Sequence, residues 1–225
     1  MKRLLDGGLR EGVALWTAVT ALLGGLYWVG QAGLAVVEAH LPEAAALLFW
    51  GVPVLLSDRR REDLRALGWR APTGRDVAWG LGAIAVVLPL FVVGYAWWNG
   101  VLGKLPHAPL VMHEQPILFP LTQLIVVAAP EELFYRGFLL DRLTRRFPGG
   151  LRIAGVTIGP AFWLTAALFG LGHFLVDLRP GRLAVFFPST LFALLRLRTG
   201  GLFAGVVFHA ACNVTIDACW RSLLR

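Results

Sequence analysis

The sequence predicts an all-α, polytopic transmembrane helical bundle of about seven spans, within a range of six to eight. Three observations carry that expectation. Hydrophobic residues make up 57% of the 225-residue chain and charged residues 16%, with a mean hydropathy of +0.66; soluble domains average roughly 45–50% apolar and 25% charged. The apolar residues fall in long uncharged blocks, as membrane-spanning helices require. The Lys and Arg residues behind the formal charge of +7 sit in short connectors between those blocks. They form no continuous basic face, so the expected partner is the lipid bilayer and not nucleic acid. A single membrane domain over 1–225 is the simplest organisation.

In order, the apolar segments cover about 12–36, 44–56, 77–102, 116–140, 153–176, 183–196 and 201–218. A crossing helix needs roughly 20 residues, so the second and sixth are short, and the sixth also contains Pro188. The basic start, Lys2, Arg3 and Arg10, resembles a secretory signal, but the run that follows is too long for one and is better taken as the first span. Basic residues then alternate with the spans: Arg59, Arg60, Arg61, Arg65, Arg70 and Arg75 follow the second, Arg142, Arg145, Arg146 and Arg152 the fourth, and Arg196 and Arg198 the sixth. The opposite connectors hold only Lys104. By the positive-inside rule the N-terminus is expected in the cytoplasm and, with seven spans, the C-terminus outside. Arg179 with Arg182, and Arg221 with Arg225, depart from the alternation. Trp69, Trp97, Trp98 and Trp220 stand where interfacial anchors belong. Cys212 and Cys219, two helical turns apart, are too distant for a disulfide within one helix and are expected as small core residues. The Arg-, Ala-, Leu- and Gly-rich composition fits a bacterial source, and hence a bacterial inner membrane.

Ionisable groups inside a bilayer cost several kcal/mol and mark function by default. The first and third spans have none in their interiors. The fourth holds Glu131, Glu132 and Arg136, the fifth His173, and the last His209 and Asp217 with the polar Asn213. Glu132 and Arg136, four apart, suit an ion pair along one helix face. Glu131 is rotated about 100° from Glu132, which leaves it free to face water or another helix and to accept a proton. His209, Asn213 and Asp217 recur every four residues as a stripe that must face the bundle interior. Asn and His side chains can donate to a developing oxyanion. The same stripe could instead line a solute path or join helices in a non-enzymatic transporter or channel.

Several hydrolytic chemistries are excluded. The nearest string to a zincin HExxH is His113-Glu114-Gln115-Pro116-Ile117, which lacks the second histidine. Ser57, Ser189 and Ser222, the only serines, occupy no nucleophile elbow, and Asp217 has no aspartate partner for a dyad. A zinc site built from Glu131, Glu132, His173 and His209 stays open, since imidazole and carboxylate both ligate zinc.

The string Pro130-Glu131-Glu132-Leu133-Phe134-Tyr135-Arg136-Gly137 resembles the EExxxR motif of the CPBP family, which contains the type II CAAX prenyl endopeptidases and the bacterial Abi-like membrane proteases. Phe169-Gly170-Leu171-Gly172-His173 resembles its FxxxH motif and His209-Ala210-Ala211-Cys212-Asn213 its HxxxN motif. The resemblance covers about 116–218, the expected catalytic core. It implies peptide-bond hydrolysis within the membrane, with a membrane-associated protein or peptide, or its C-terminal sorting or anchor signal, as substrate. Glu131 would activate water, His173 would help hold it, His209 and Asn213 would stabilise the oxyanion, and Glu132 with Arg136 would support the site. Members are often labelled metalloproteases, although the favoured mechanism is metal-free; no cofactor is expected, with zinc as the alternative. Prenyl-protein members often carry further histidines after FxxxH, where this chain has Phe174, Leu175 and Val176.

Helix geometry sets one condition. Glu131 lies roughly 14 Å from the cytoplasmic end of its span, whereas His173 lies roughly 30 Å from the start of its own. The two meet if the boundaries shift by several residues, or if the fifth helix starts at Gly159-Pro160, where proline suits the first helical position. Asp177 is expected as a solvated helix end, and Asp217 as a group orienting His209 or Arg136 or as an end residue. His40, His107 and His113 are expected in solvated connectors. Asn213-Val214-Thr215 matches a glycosylation sequon but lies within a span, so no glycan is expected.

Overall fold

A computed structural model of the chain describes residues 2–103, 110–153 and 155–224. Lys104 and His107, placed in an outer connector, and the terminal Arg225 lie outside the described residues, as do the side chains of Lys2 and Arg3. The architecture is all-helical apart from one hairpin. Its helices are α1 (Lys2–Gln31), α2 (Ala35–Ala39), α3 (Leu41–Arg60), α4 (Gly74–Val101), α5 (Leu118–Arg146), α6 (Pro160–Asp177), α7 (Phe186–Thr199) and α8 (Phe203–Leu224). Strands β1 (Leu151–Ile153) and β2 (Val156–Ile158) pair antiparallel between α5 and α6. Helices α1, α3, α4, α5, α6 and α8 are each long and apolar enough to cross a membrane. Six is the lower bound of the expected range, because the sixth apolar segment folds differently. Residues Pro180–Val185 form a 3₁₀ turn and α7 has only 14 residues.

The fifth apolar segment also starts late. Residues 151–158 are spent on the hairpin, and Pro160 opens α6 behind Gly159. Gly159 is required there, since any Cβ would overlap the carbonyl oxygen of Gly149. Helix α5 meanwhile runs on to Arg146. Fifteen residues now separate Glu131 from the end of α5 and thirteen separate His173 from the start of α6, roughly 22 and 20 Å. The depth conflict disappears.

Interhelical ties gather at two ends. At one, Arg60 reaches Glu11 at 2.7 Å, Arg142 reaches Glu62 at 2.7 Å, and the amide of Leu202 donates to the carbonyl of Gly68 at 3.1 Å. Arg70 also forks onto Asp76 at 3.0 and 3.1 Å and donates to the Thr199 carbonyl at 3.0 Å. This is the Arg-rich end. At the other, Arg179 reaches the Tyr27 hydroxyl at 3.4 Å, the Val111 amide donates to Ser222 Oγ at 3.2 Å, and His113 stacks on Phe119 at 4.2 Å. The basic residues that break the alternation are held here by carboxylates: Arg182 by Asp177 at 2.9 Å and Arg221 by Asp217 at 2.7 Å.

Helix α4 begins with a capping box, in which Thr73 and Asp76 satisfy each other's backbone N–H groups. It packs chiefly along α8 and the end of α7, with Gly80 close enough to Ala204 that a Cβ would sit 3.3 Å from its Cα. Only 6% of its most apolar window is buried, and Leu81, Val86, Leu90 and Val93 face outward, as lipid contact allows. The core lies elsewhere. Trp16, Phe134, Phe138, Phe162, Phe169, Phe192 and Phe208 form one buried cluster between α1, α5, α6, α7 and α8.

Candidate active site

Helix α5 does not run as a regular α-helix past the acidic pair. Pro130 has no N–H, so the i→i−4 ladder cannot run through it unbroken. Two π-helical stretches, Gln123–Ala128 and Leu133–Leu139, flank a short α segment, Ala129–Glu132. Such π turns are frequent at functional sites because they re-aim side chains. Here Glu131 is aimed into a cavity of about 1070 Å³ that also receives His173, His209 and Asn213. Glu132 turns the other way and is fully buried.

The ion pair expected between Glu132 and Arg136 is present, with Oε1 and Nη1 3.2 Å apart and both side chains buried. The remaining guanidinium contacts are supplied by α6 and α7. Arg136 Nη2 donates to Ser189 Oγ at 2.8 Å and to its carbonyl at 3.2 Å, while the guanidinium lies over Phe169 at 4.4 Å and Phe192 at 5.0 Å. Packed aromatic faces suit a desolvated guanidinium. Ser189, weighed in the sequence only as a nucleophile, is therefore a partner of Arg136.

His209 joins the two glutamates. Its Nδ1 lies 3.0 Å from Glu132 Oε1 and its Nε2 3.7 Å from Glu131 Oε2. An ionised carboxylate only accepts hydrogen bonds, so Nδ1 carries the proton toward Glu132. The ring stacks on Phe192 at 4.4 Å, which fixes its plane. His173 Nδ1 donates to the Phe169 carbonyl at 2.9 Å, and its Nε2 points to Glu131 Oε2 at 4.0 Å. Neither Nε2 is in hydrogen-bond range of Glu131, and Glu131 Oε2 is buried with no hydrogen-bond partner among the described residues. A gap of 3.7–4.0 Å between polar atoms is the spacing across which a bridging water fits.

Asn213 is steered by a residue the sequence reading passed over. Its Nδ2 donates at 2.9 Å to Oε1 of Gln123, on the first π-helical stretch of α5. The signal was present, since Gln123, beside Thr122, interrupts the otherwise apolar run from Pro116 to Pro130. Asp217, the third member of the stripe, orients neither His209 nor Arg136; it pairs with Arg221 one turn on, as an end residue. Asp177 is not solvated: it is 7% exposed and accepts from Arg182 and from the amide of Arg179. His40 is exposed, whereas His113 is half-buried and accepts from the Gln115 amide. Cys219 is buried and Cys212 lines the cavity; both are free.

One cavity thus receives a carboxylate oxygen without a hydrogen-bond partner among the described residues, two oriented imidazoles and a steered amide, brought together from α5, α6 and α8. Residues 113–215 match the family model of Type II CAAX prenyl endopeptidase, Rce1-like. No curated protein and no solved structure gives a match. The Rce1-like segment runs from the approach to α5 into α8 and contains all of Glu131, Glu132, Arg136, His173, His209 and Asn213. Helices α1 to α4 precede it. The Rce1-like match agrees with the resemblance to the CPBP family and supports, in general terms, a CAAX-type intramembrane endopeptidase acting on a peptide or protein substrate in the membrane.

Proposed function

We propose that the protein is an intramembrane endopeptidase in which Glu131, without a metal, activates the water that cleaves a membrane-associated protein or its C-terminal sorting or anchor signal. The observation that carries this reading is the buried Glu131 oxygen facing two Nε2 atoms at 3.7 and 4.0 Å within a large cavity. A water placed there donates one hydrogen to Glu131 and the other to His173 Nε2, whose lone pair is turned inward by the Nδ1–H bond to Phe169. Its oxygen then attacks the scissile carbonyl as Glu131 takes the proton. The developing oxyanion accepts from the second Nδ2–H of Asn213, and from His209 Nε2 when that ring is an imidazolium balanced by Glu132. Collapse breaks the C–N bond, and Glu131 returns its proton to the leaving amine.

A zinc enzyme is the competing reading. The metal-free one is supported by the absence, among the described residues, of any three His, Cys, Asp or Glu side chains grouped to hold a metal ion. A transporter using the same polar groups is the other. Glu131→Gln separates it from the protease, because the amide keeps the shape and removes the base. The protein, reconstituted in vesicles with solubilised host membrane proteins, should generate new peptide termini by mass spectrometry that the Glu131→Gln form does not. Identical termini with both forms, each equally well folded, would refute the proposal.

A further inference from the structure

The chamber that holds Glu131 has a packed floor at one end. Toward the Arg-rich end, each helix that carries or flanks the site continues as packed core. Beyond Glu131 on α5 come Leu133, Phe134, Arg136, Phe138 and Leu139, all fully buried. Before His173 on α6 stand Phe162, Thr165 and Ala166, at most 4% exposed, and before His209 on α8 stand Ala204 and Phe208, both at 0%. Leu67, from the connector between α3 and α4, closes the layer at 1% exposure against Gly137. Nothing of substrate size passes this floor.

In the opposite direction the same helices open. The cavity is lined by the first residues of α3, Leu41 and Pro42, by Phe119 at the start of α5, and by Arg182 in the turn after α6. These belong to the Arg-poor end that Tyr27, Val111 and Ser222 help tie together. The wall between is apolar, with Val87, Leu88 and Phe91 of α4 facing Ala45 and Phe49 of α3. The chamber thus extends, without a floor, toward the end away from the residue 57–76, 142–152 and 196–198 arginines. Juxtamembrane Lys and Arg set which face stays in the cytoplasm.

We infer that the chamber is entered from the non-cytoplasmic half of the membrane, and that its substrate is an apolar peptide segment presented from that side, such as the outer end of a membrane anchor, rather than a cytosolic C-terminal tail. The direction of entry rests on geometry and charge alone; that the entrant is cleaved rests on the endopeptidase reading. Val176 of α6 adds to this apolar wall.

The native thiol tests the direction. In a Cys219→Ala form expressed in a bacterial inner membrane, Cys212 inside the chamber should react with a small impermeant thiosulfonate added to intact, outer-membrane-permeabilised cells and not to sealed inverted vesicles. A Pro42→Cys, Cys212→Ala, Cys219→Ala form places a second thiol at the rim and should behave alike, while Arg61→Cys in the same background should show the reverse. Labelling of the rim thiol only in inverted vesicles overturns the inference. The substrate is tested with two single-span Leu/Ala reporters of opposite orientation. Cleavage by the active protein and not by Glu131→Gln, confined to the reporter whose cleavable end faces outward, supports it, and cleavage confined to the inward one overturns it. If the thiols label from outside while both reporters stay intact, the entry direction stands and the peptidase assignment falls.

Discussion

Replacing Arg136 by Met should destabilise the protein more than removing any residue that touches water in the cavity. The guanidinium is fully buried, 3.2 Å from Glu132, and donates twice to Ser189 at 2.8 and 3.2 Å. Met keeps the length of the side chain and its contact with Phe169 and Phe192, but leaves the Glu132 charge with His209 alone. Breaking a buried pair in this one-sided way costs about 3–5 kcal/mol, and the lost charged hydrogen bonds belong to that figure rather than adding to it. For a chain of this size the melting temperature should fall by about 10 °C. The two free thiols supply the assay: Cys219 is buried and Cys212 half-buried, so a thiol-reactive fluorophore reports their exposure as detergent-solubilised protein is heated. The double form Glu132→Gln, Arg136→Met removes both charges and should recover part of the loss, a positive coupling in the double-mutant cycle. A single variant that melts with the wild type, or a double variant whose loss equals the sum of the two singles, would refute the argument.

Other outcomes follow from the site and its packing. Asn213→Ala should lower kcat by about 10²–10³ with little change in KM, as loss of one oxyanion donor does, and Gln123→Leu should lower it by about tenfold through misorientation of Asn213; reporter cleavage at saturating substrate checks both. Gly137→Ala puts a Cβ 2.9 Å from the Leu67 carbonyl oxygen, so it should cost about 1–3 kcal/mol in the same thermal assay. Treatment with a strong chelator should leave reporter cleavage unchanged, and elemental analysis of active protein should find far less than one zinc per chain; stoichiometric zinc that tracks activity would favour the metal reading.

The candidate-site positions were legible because the bilayer makes them so: an acid, a base or an imidazole in an apolar span stands out against its neighbours. Glu132 with Arg136 could even be paired from their spacing, since a four-residue interval holds along a helix. What interrupts regular geometry was harder to read. The hairpin at 151–158 is as apolar as a span, so hydropathy merged it into α6, and only Gly159-Pro160 marked the true start. The two π stretches around Pro130 leave no mark in composition, although they flank the segment that carries both glutamates. Gln123 and Ser189 are uncharged and common, and their roles appear only when α8 and α7 are set beside α5. Asp177 looked like a solvated terminus because its partners, Arg182 and the Arg179 amide, come from a turn whose shape the sequence does not reveal.

Helix α4 differs from its neighbours in how it is secured. Its base is riveted by Arg70, Asp76 and Thr199, yet along most of its length it leans on α8 and shows its other faces to lipid. Midway along it, Val87, Leu88 and Phe91 form one side of the hollow. That side of the hollow is thus one helix thick, with outward-facing apolar residues behind it, while the acid and its imidazoles stand against the buried aromatic cluster beneath.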